Sequence, residues 1–279
     1  MKIAVTGATG FVGRHVMAEL ERRGLEATLL LRNPPPGAGH PAHRVLRFDH
    51  LEDPQDLYER AGRPDVLLHL AWGGLPNYHS LHHFECERPA QYRLIKSLVQ
   101  AGLPHVVVAG TCFEYGQRSG PLVETLVGQP INAYGHAKDA LRRELELLRR
   151  GQAFQLSWAR LFYLYGEGQA AGSLWSLLRS AVARGDALFP MSGGEQLRDY
   201  LPAAEAAAHL VALALRPRDD GIVNICSGRP VSVRALVEGW IREHGWAIKP
   251  ELGRYPYAEH EPMAFWGDDT KLRACLQAR

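Results

Sequence analysis

The stretch Lys2-Ile-Ala-Val-Thr-Gly-Ala-Thr-Gly-Phe-Val-Gly13 decides how the rest of the chain is read. Ile3 to Val5 is a short apolar run of the kind buried in a strand, and glycines follow at positions 7, 10 and 13. Behind them Phe11 to Arg23 is amphipathic, with Val12, Val16, Ala18 and Leu20 on its inner face. A strand, a glycine-rich turn and a helix start within about twenty residues form the layout that cradles a pyrophosphate. Gly7 permits the tight turn. Gly10 lets backbone N–H groups approach the phosphates, and Gly13 lets the helix pack close to the strand. The helix N-terminus then turns its free N–H groups and positive dipole end toward the anion. The competing reading is an ordinary strand–helix turn of another α/β protein, and the strand–turn–helix context weighs against it.

The bulk numbers bound the answer. The 279 residues suit one large α/β domain, or a large domain with a smaller lobe. A net charge of +2 with dispersed arginines gives no case for nucleic acid or an anionic membrane. Cys86, Cys112, Cys226 and Cys275 lie far apart without metal spacing, so reduced thiols in a cytoplasmic protein are expected. No apolar run approaches the roughly 18 residues a membrane span needs. The N-terminus reads directly as a strand, without the pattern of a signal peptide.

Further along, Leu25 to Leu31 reads as a second strand, with Arg32 directly after it and a Pro/Gly loop over Asn33 to Gly39. In a doubly wound fold this strand end meets the adenosine ribose. An acidic residue there suits NAD and an arginine suits the 2′-phosphate of NADP. Residues 30–39 hold no Asp or Glu, so NADP(H) is favoured, with NAD(H) possible and Arg32 as a solvated loop residue the plain alternative. Val45 to Phe48, Asp65 to Ala71, His105 to Ala109 and Phe154 to Ala159 continue as strands. Helices are expected over 54–60, from about 83 to 101, and over 132–150. The strict alternation then loosens, with helices expected at 173–185, 203–215 and 232–244 and short strands near 197–201 and 222–225. The expected organisation is a doubly wound parallel α/β sheet over 1–165, with an interleaved smaller lobe over 166–279. His79, His82 and His83 have spacing that could ligate a metal, but no Cys or carboxylate constellation accompanies them, so a helix face is the reading and no metal is expected.

Tyr134 and Lys138 stand one helical turn apart on one face. A free phenol titrates near pH 10 and is a poor acid or base at neutrality. A nearby ammonium, joined by an oxidised nicotinamide, is expected to lower it toward the working range. Thr111 sits at the C-terminal end of the fifth strand, where open α/β sheets place ligands, and its hydroxyl can steady charge developing on a substrate oxygen. A lone Tyr-x-x-x-Lys is commonly a surface helix pair. Its company here, the glycine triplet and a hydroxyl at a matching strand end, argues for chemistry.

Thr6-Gly7-x-x-Gly10-x-x-Gly13, Thr111 with Tyr115-Gly116, and Tyr134-x-x-x-Lys138 together resemble an extended short-chain dehydrogenase/reductase of the nucleotide-sugar epimerase/dehydratase type. Further segments resemble the same family: Arg160-Leu-Phe-x-x-Tyr165-Gly166, Gln196-Leu-Arg198-Asp199-Tyr200 and Asn224-Ile-Cys-Ser227-Gly228. The resemblance implies a Rossmann fold with cofactor contacts from Gly7, Thr9, Gly10, Phe11, Val12, Gly13, Arg32, Asp49, Leu70, Ala71 and Lys138. It implies catalysis by Thr111, Tyr134 and Lys138, and substrate contacts from Thr111, Cys112, Arg160 and Arg198. Arg198 suits a diphosphate because a guanidinium binds it bidentately. The helix over 83–101 lacks the asparagine that completes the family's proton relay.

Departures from the family narrow the reaction. Cys112 and Phe113 stand where 4,6-dehydratases carry Asp and Glu, and Phe has no transferable proton. Phe113 also fills the cysteine position of GDP-fucose-type epimerase–reductases, and residues 170–178 hold no histidine. What remains is hydride chemistry needing only Tyr134, Lys138 and Thr111. The expectation is a NAD(P)H-dependent reductase of a nucleotide-diphosphate sugar, a dTDP-4-keto-6-deoxyhexose in particular, giving dTDP-6-deoxytalose or dTDP-fucose. The alternatives are an NAD-dependent nucleotide-sugar 4-epimerase and a non-catalytic dinucleotide sensor, against which the intact Tyr134 and Lys138 count. A homodimer through 79–101 and 132–150 is the family's expectation.

Overall fold

The structure, a computed structural model, describes residues 1–34, 42–49, 51–257 and 262–277. Seven short β-branched and leucine-rich runs form one parallel sheet: β1 (Ile3–Thr6), β2 (Ala27–Leu31), β3 (His43–Arg47), β4 (Val66–His69), β5 (His105–Thr111), β6 (Gln155–Leu161) and β7 (Gly221–Ile225). Their order is β7-β6-β5-β4-β1-β2-β3, parallel throughout. Every residue of β1, β4 and β5 is buried, as strands covered by helices on both faces must be. The chain winds outward from β1 through β2 and β3, then crosses back to β4 and winds the other way. That reversal opens a crevice beyond the carboxyl ends of β1 and β4, where this class of fold binds ligands.

Helices α1 (Phe11–Arg22), α2 (Leu57–Arg60), α3 (Arg88–Gln100), α4 (Ala133–Gly151), α5 (Leu174–Arg184), α6 (Ala203–Ala214), α7 (Val233–Glu243) and α8 (Thr270–Gln277) complete the chain. One face of the sheet packs Val16 and Leu20 of α1 with Ala206, Leu210 and Val211 of α6 and Leu272 of α8. The other packs Leu94, Ile95 and Leu98 of α3 with Leu141 and Leu145 of α4. A separate core of Trp175, Leu178, Phe189, Met191, Val237, Trp240 and Ile248 holds the smaller lobe together.

Three elements beyond residue 165 therefore serve the main sheet: α6, β7 and α8. Helix α8 lies beyond the last helix expected from the sequence, at 232–244. Before it, Phe265–Gly267 pairs in parallel with Gly120–Leu122. The 54–60 segment keeps only one turn of helix, because Asp56 adopts a left-handed φ of 53° before Leu57. The remaining strands of the lobe are two or three residues long: Tyr163–Tyr165 pairs with Tyr200–Pro202, and Leu197–Arg198 with Val231–Ser232.

Candidate active site

The glycine turn is built as its spacing requires. Gly7 has φ +72°, and a Cβ there would lie 2.6 Å from the Ala71 backbone nitrogen. A Cβ at Gly13 would overlap the Gly7 carbonyl, so the helix start seats directly on the turn. Gly10 caps α1 with no side-chain hydrogen bond and no acidic residue follows in the first turn, leaving the helix N-terminus facing the crevice uncompensated. The Thr6 hydroxyl ties the two central strand ends together. It lies 2.9 Å from His69 Nδ1 and accepts from the backbone N–H groups of Leu70 and Ala71 at 3.2 and 3.3 Å. A cavity of about 240 Å³ results, lined among others by Gly7, Thr9, Gly10, Arg32, Leu70 and Ala71. A glycine cradle that any Cβ would fill, at a bare helix N-terminus, fits a dinucleotide pyrophosphate.

The remaining expected cofactor contacts divide. Arg32 stands on the cavity rim. Phe48 lines the cavity, whereas the Asp49 carboxylate accepts from Leu51 N at 3.1 Å within its own turn. Phe11 and Val12 are partly buried and pack against the core beneath the turn. The 35–39 portion of the loop after Arg32 lies outside the described residues.

Thr111, Tyr134 and Lys138 come together. Asn132 caps α4 by accepting from Gly135 N at 2.8 Å, which starts the helix just before Tyr134. The Tyr134 phenol is hydrogen-bonded to the Thr111 side chain. Rings enclose it: His83 at 5.4 Å, Tyr78 at 5.7 Å, Trp72 at 5.9 Å and Phe113 at 6.4 Å between centroids. Lys138 is 1% exposed, donates to the Ala109 carbonyl at 2.8 Å and lies 4.0 Å from the Trp72 ring centroid.

Burial in this shell shifts the charge states of the chain by itself. Burial pushes the Tyr134 phenol well above its ordinary range, the Glu114 carboxylate adds to the rise, and only the Thr111 hydrogen bond opposes it. Burial likewise brings Lys138 down to about 7, against the pull of Glu114 and Glu87. The lysine also has partners of its own. Its ammonium is directed at a backbone carbonyl and an aromatic face, 5.9 Å from the Tyr134 ring centroid. By itself the chain holds Tyr134 as a protonated donor.

Arg160 is a correction. Expected at the substrate, it is buried on the Glu114 carboxylate, Nε to Oε2 at 2.7 Å, with its guanidinium 4.3 Å from the Tyr115 ring centroid. Glu114 also accepts from Trp158 Nε1 at 2.9 Å and from Thr111 N at 2.8 Å, closing a capping box on Thr111. Arg160 thus steadies the strand end that carries Thr111. Cys112 is a buried thiol, raised to about 12 by burial. Arg198 is buried over Phe265 at 4.8 Å and donates to Leu197 O. Beside it Asp199 gathers Ser227 N, Gly228 N and Gly267 N at 2.7, 3.0 and 3.3 Å. Nearby, Tyr163 stacks on Tyr200 with ring centroids 5.3 Å apart. His83 is buried between Trp72 Nε1 and the Asn77 carbonyl, at 3.1 and 2.8 Å.

Sheet order, glycine cradle and the Thr111–Tyr134–Lys138 cluster define a NAD(P)-dependent oxidoreductase of the extended short-chain dehydrogenase/reductase class. The chain belongs to the NAD dependent epimerase/dehydratase family, whose family model matches residues 3–226. It is 30% identical to a dTDP-6-deoxy-L-talose 4-dehydrogenase (NAD(+)) of Aggregatibacter actinomycetemcomitans, over 96% of this chain and 99% of that one. It is 28% identical to a dTDP-6-deoxy-L-talose 4-dehydrogenase (NAD(P)(+)) of Kitasatospora kifunensis, over 91% and 82%. Among solved structures, MoeE5 in complex with UDP-glucuronic acid and NAD superposes with a TM-score of 0.80 at 27% identity, covering 99% of this chain and 92% of that one.

Proposed function

We propose that the protein reduces the 4-keto group of a nucleotide-linked 6-deoxyhexose, a dTDP-4-keto-6-deoxyhexose in the first place, to the 4-hydroxy sugar. The observation that carries the reading is the Tyr134 phenol, buried with Thr111 and Lys138 at the C-terminal end of β5. The likeness to two dTDP-6-deoxy-L-talose 4-dehydrogenases supports the sugar. The nicotinamide, when bound, supplies hydride. Tyr134 gives its proton to the ketone oxygen, Thr111 hydrogen-bonds the same oxygen, and the phenolate is later reprotonated from solvent. Lys138 offers a cation beside the reacting centre. Arg198 takes the diphosphate, and the Phe113, Tyr78 and Trp72 rings keep water from the ketone. Dehydration at C6 has no acid–base pair here, because Cys112 is a neutral thiol and Phe113 carries no proton.

Arg32, on the cavity rim with no carboxylate among residues 30–34, supports a preference for NADP(H). Four free cysteines suit a reducing cytoplasm. The adjacent faces of α3 and α4 are the surfaces we assign to a homodimer.

The test is a product assay. Protein is mixed with NADPH and dTDP-4-keto-6-deoxyglucose, with and without its C3/C5 epimer, and the sugar is identified by NMR. Oxidation of NADPH that starts only on adding the ketosugar, with a 4-hydroxy product, is the expected result. Interconversion of UDP-sugars without net change in NAD(P)H would instead make it a 4-epimerase.

A further inference from the structure

Trp72 and His83 stand beside the reacting groups, and the reaction just described gives His83 no task. Trp72 follows β4, lines the cofactor cavity and packs against the core below it. The Lys138 Nζ lies over its ring, 4.0 Å from the centroid, and the indole stands nearly perpendicular to the Tyr134 ring, with centroids 5.9 Å apart. His83 is 0% exposed and begins the π-helical turn His83–Glu87 that leads into α3. Such turns are rare and occur often at functional sites. Gly74, at φ +80°, makes room for the imidazole: a Cβ there would come within 3.1 Å of His83 Cε1.

The partners of His83 fix its proton. The Trp72 Nε1–H can only donate, and it meets His83 Nδ1 at 3.1 Å. The Asn77 carbonyl can only accept, and it lies 2.8 Å from His83 Nε2. Both bonds form together only when Nδ1 is bare and Nε2 carries the hydrogen, which is the neutral Nε2–H tautomer. The imidazole therefore tethers the indole to residues 75–78, a segment itself fixed to α4 by the Tyr134 N–H donating to the Tyr78 carbonyl at 3.0 Å. The tethered indole turns the negative face of its ring to the ammonium, whose Nζ also donates to the Ala109 carbonyl at 2.8 Å. A π face supports a cation without net charge of its own. It therefore adds no repulsion against a phenolate at Tyr134, as a carboxylate in its place would.

We propose that His83 is a positioning residue: as the Nε2–H tautomer it holds the Trp72 indole in place as a π-face support for the Lys138 ammonium. The proposal rests on the reading of Lys138 as a working residue, but its test does not depend on turnover. The protons on Lys138 Cε, one bond from Nζ, are assigned with Lys138→Met in protein free of cofactor, and the indole ring current should displace them upfield. Trp72→Leu should remove that displacement. Two variants then separate the two bonds of His83. His83→Asn brings an amide oxygen near the place of Nδ1 and keeps an acceptor for Trp72. His83→Gln reaches the place of Nε2 and keeps only a donor for Asn77. The upfield displacement should survive in His83→Asn and shrink in His83→Gln, and the Trp72 Nε1–H should exchange with solvent faster in His83→Gln than in His83→Asn.

The kcat of His83→Gln should fall about tenfold further than that of His83→Asn, a difference that loosening of the core by either truncation would not produce. Lys138 protons unmoved by Trp72→Leu overturn the proposal, as do two His83 variants that behave alike. Should the variants fail to fold, the long-range 1H–15N spectrum of the wild-type imidazole decides: a proton on Nε2 upholds the proposal and a proton on Nδ1 overturns it. The expected shifts in a protein that reduces no ketosugar would leave this proposal standing and overturn the function instead.

Discussion

Glu114→Ala should be among the most damaging substitutions in the chain. The carboxylate is fully buried and so is its partner, at 0% and 1% side-chain exposure. Removing one member of a buried ion pair costs about 3–5 kcal/mol, because the other charge is left without compensation. Trp158 Nε1 and Thr111 N would also lose their acceptor. Orphaned buried donors cost roughly 1–3 kcal/mol each, and neighbouring losses do not add in full. An overall loss of about 5 kcal/mol is expected, against a total stability of about 5–15 kcal/mol for a typical protein. Urea unfolding followed by circular dichroism measures it, as a fall in midpoint at constant slope. Glu114→Leu combined with Arg160→Met should recover much of the loss, since well-packed apolar replacements for a buried pair are often neutral. Glu114→Gln keeps an acceptor for Thr111 N and should lie between the extremes in stability. A stability of Glu114→Ala within 1 kcal/mol of the wild type would refute the reasoning, as would a double variant no better than the single one.

Tyr134→Phe should lower the rate at least about a hundredfold with cofactor affinity kept, by calorimetric titration; an unchanged rate would remove Tyr134 from the chemistry. Arg32→Ala should raise KM for NADPH by about tenfold and leave that for NADH nearly unchanged, and equal effects on both would end the NADP(H) preference. His105 lies buried on β5, and burial holds it down at about 4 from an ordinary 6.5. The unfolded chain therefore binds the extra proton first, so His105 contributes stability above about pH 6.5 that is lost as pH falls toward 4. The melting temperature of His105→Gln should fall less steeply over that window than that of the wild type, and parallel curves would exclude His105 as a source of acid sensitivity.

How far the sequence could be read depended on how local each signal was. The glycine turn, Tyr134 with Lys138, and Thr111 at a strand end are set by spacings of a few residues, and the fold puts them together. The smaller lobe was harder because its strands are two or three residues long and pair across distant segments, Tyr163–Tyr165 with Tyr200–Pro202 for example. Arg160 pointed to substrate because its partner lies 46 residues away. A signal did exist: Thr111-x-x-Glu114 has the form of a capping box, which marks Glu114 as a residue turned back onto its own strand end. The three histidines near residue 80 looked like one helix face. The π turn instead separates them, sending His83 inward to Trp72 and leaving His82 against Glu87.

The charge states of the site follow from one physical cause rather than three. Burial penalises whichever form of a group is ionised, so it raises Tyr134 and Cys112 and lowers Lys138 together. A phenol in that setting keeps its proton until an oxygen of rising basicity comes within hydrogen-bond reach, which is what a carbonyl becomes as hydride adds to its carbon. In the proposed reaction Thr111 would aid the transfer from both sides, since its hydroxyl can bond to the phenol before the proton moves and to the new alkoxide as it forms. The reverse, oxidation of an alcohol, needs the phenolate as base, and in this shell that base is costly unless a positive charge stands beside it. On the proposed function, reduction is therefore the direction expected to be favoured at neutral and mildly acid pH.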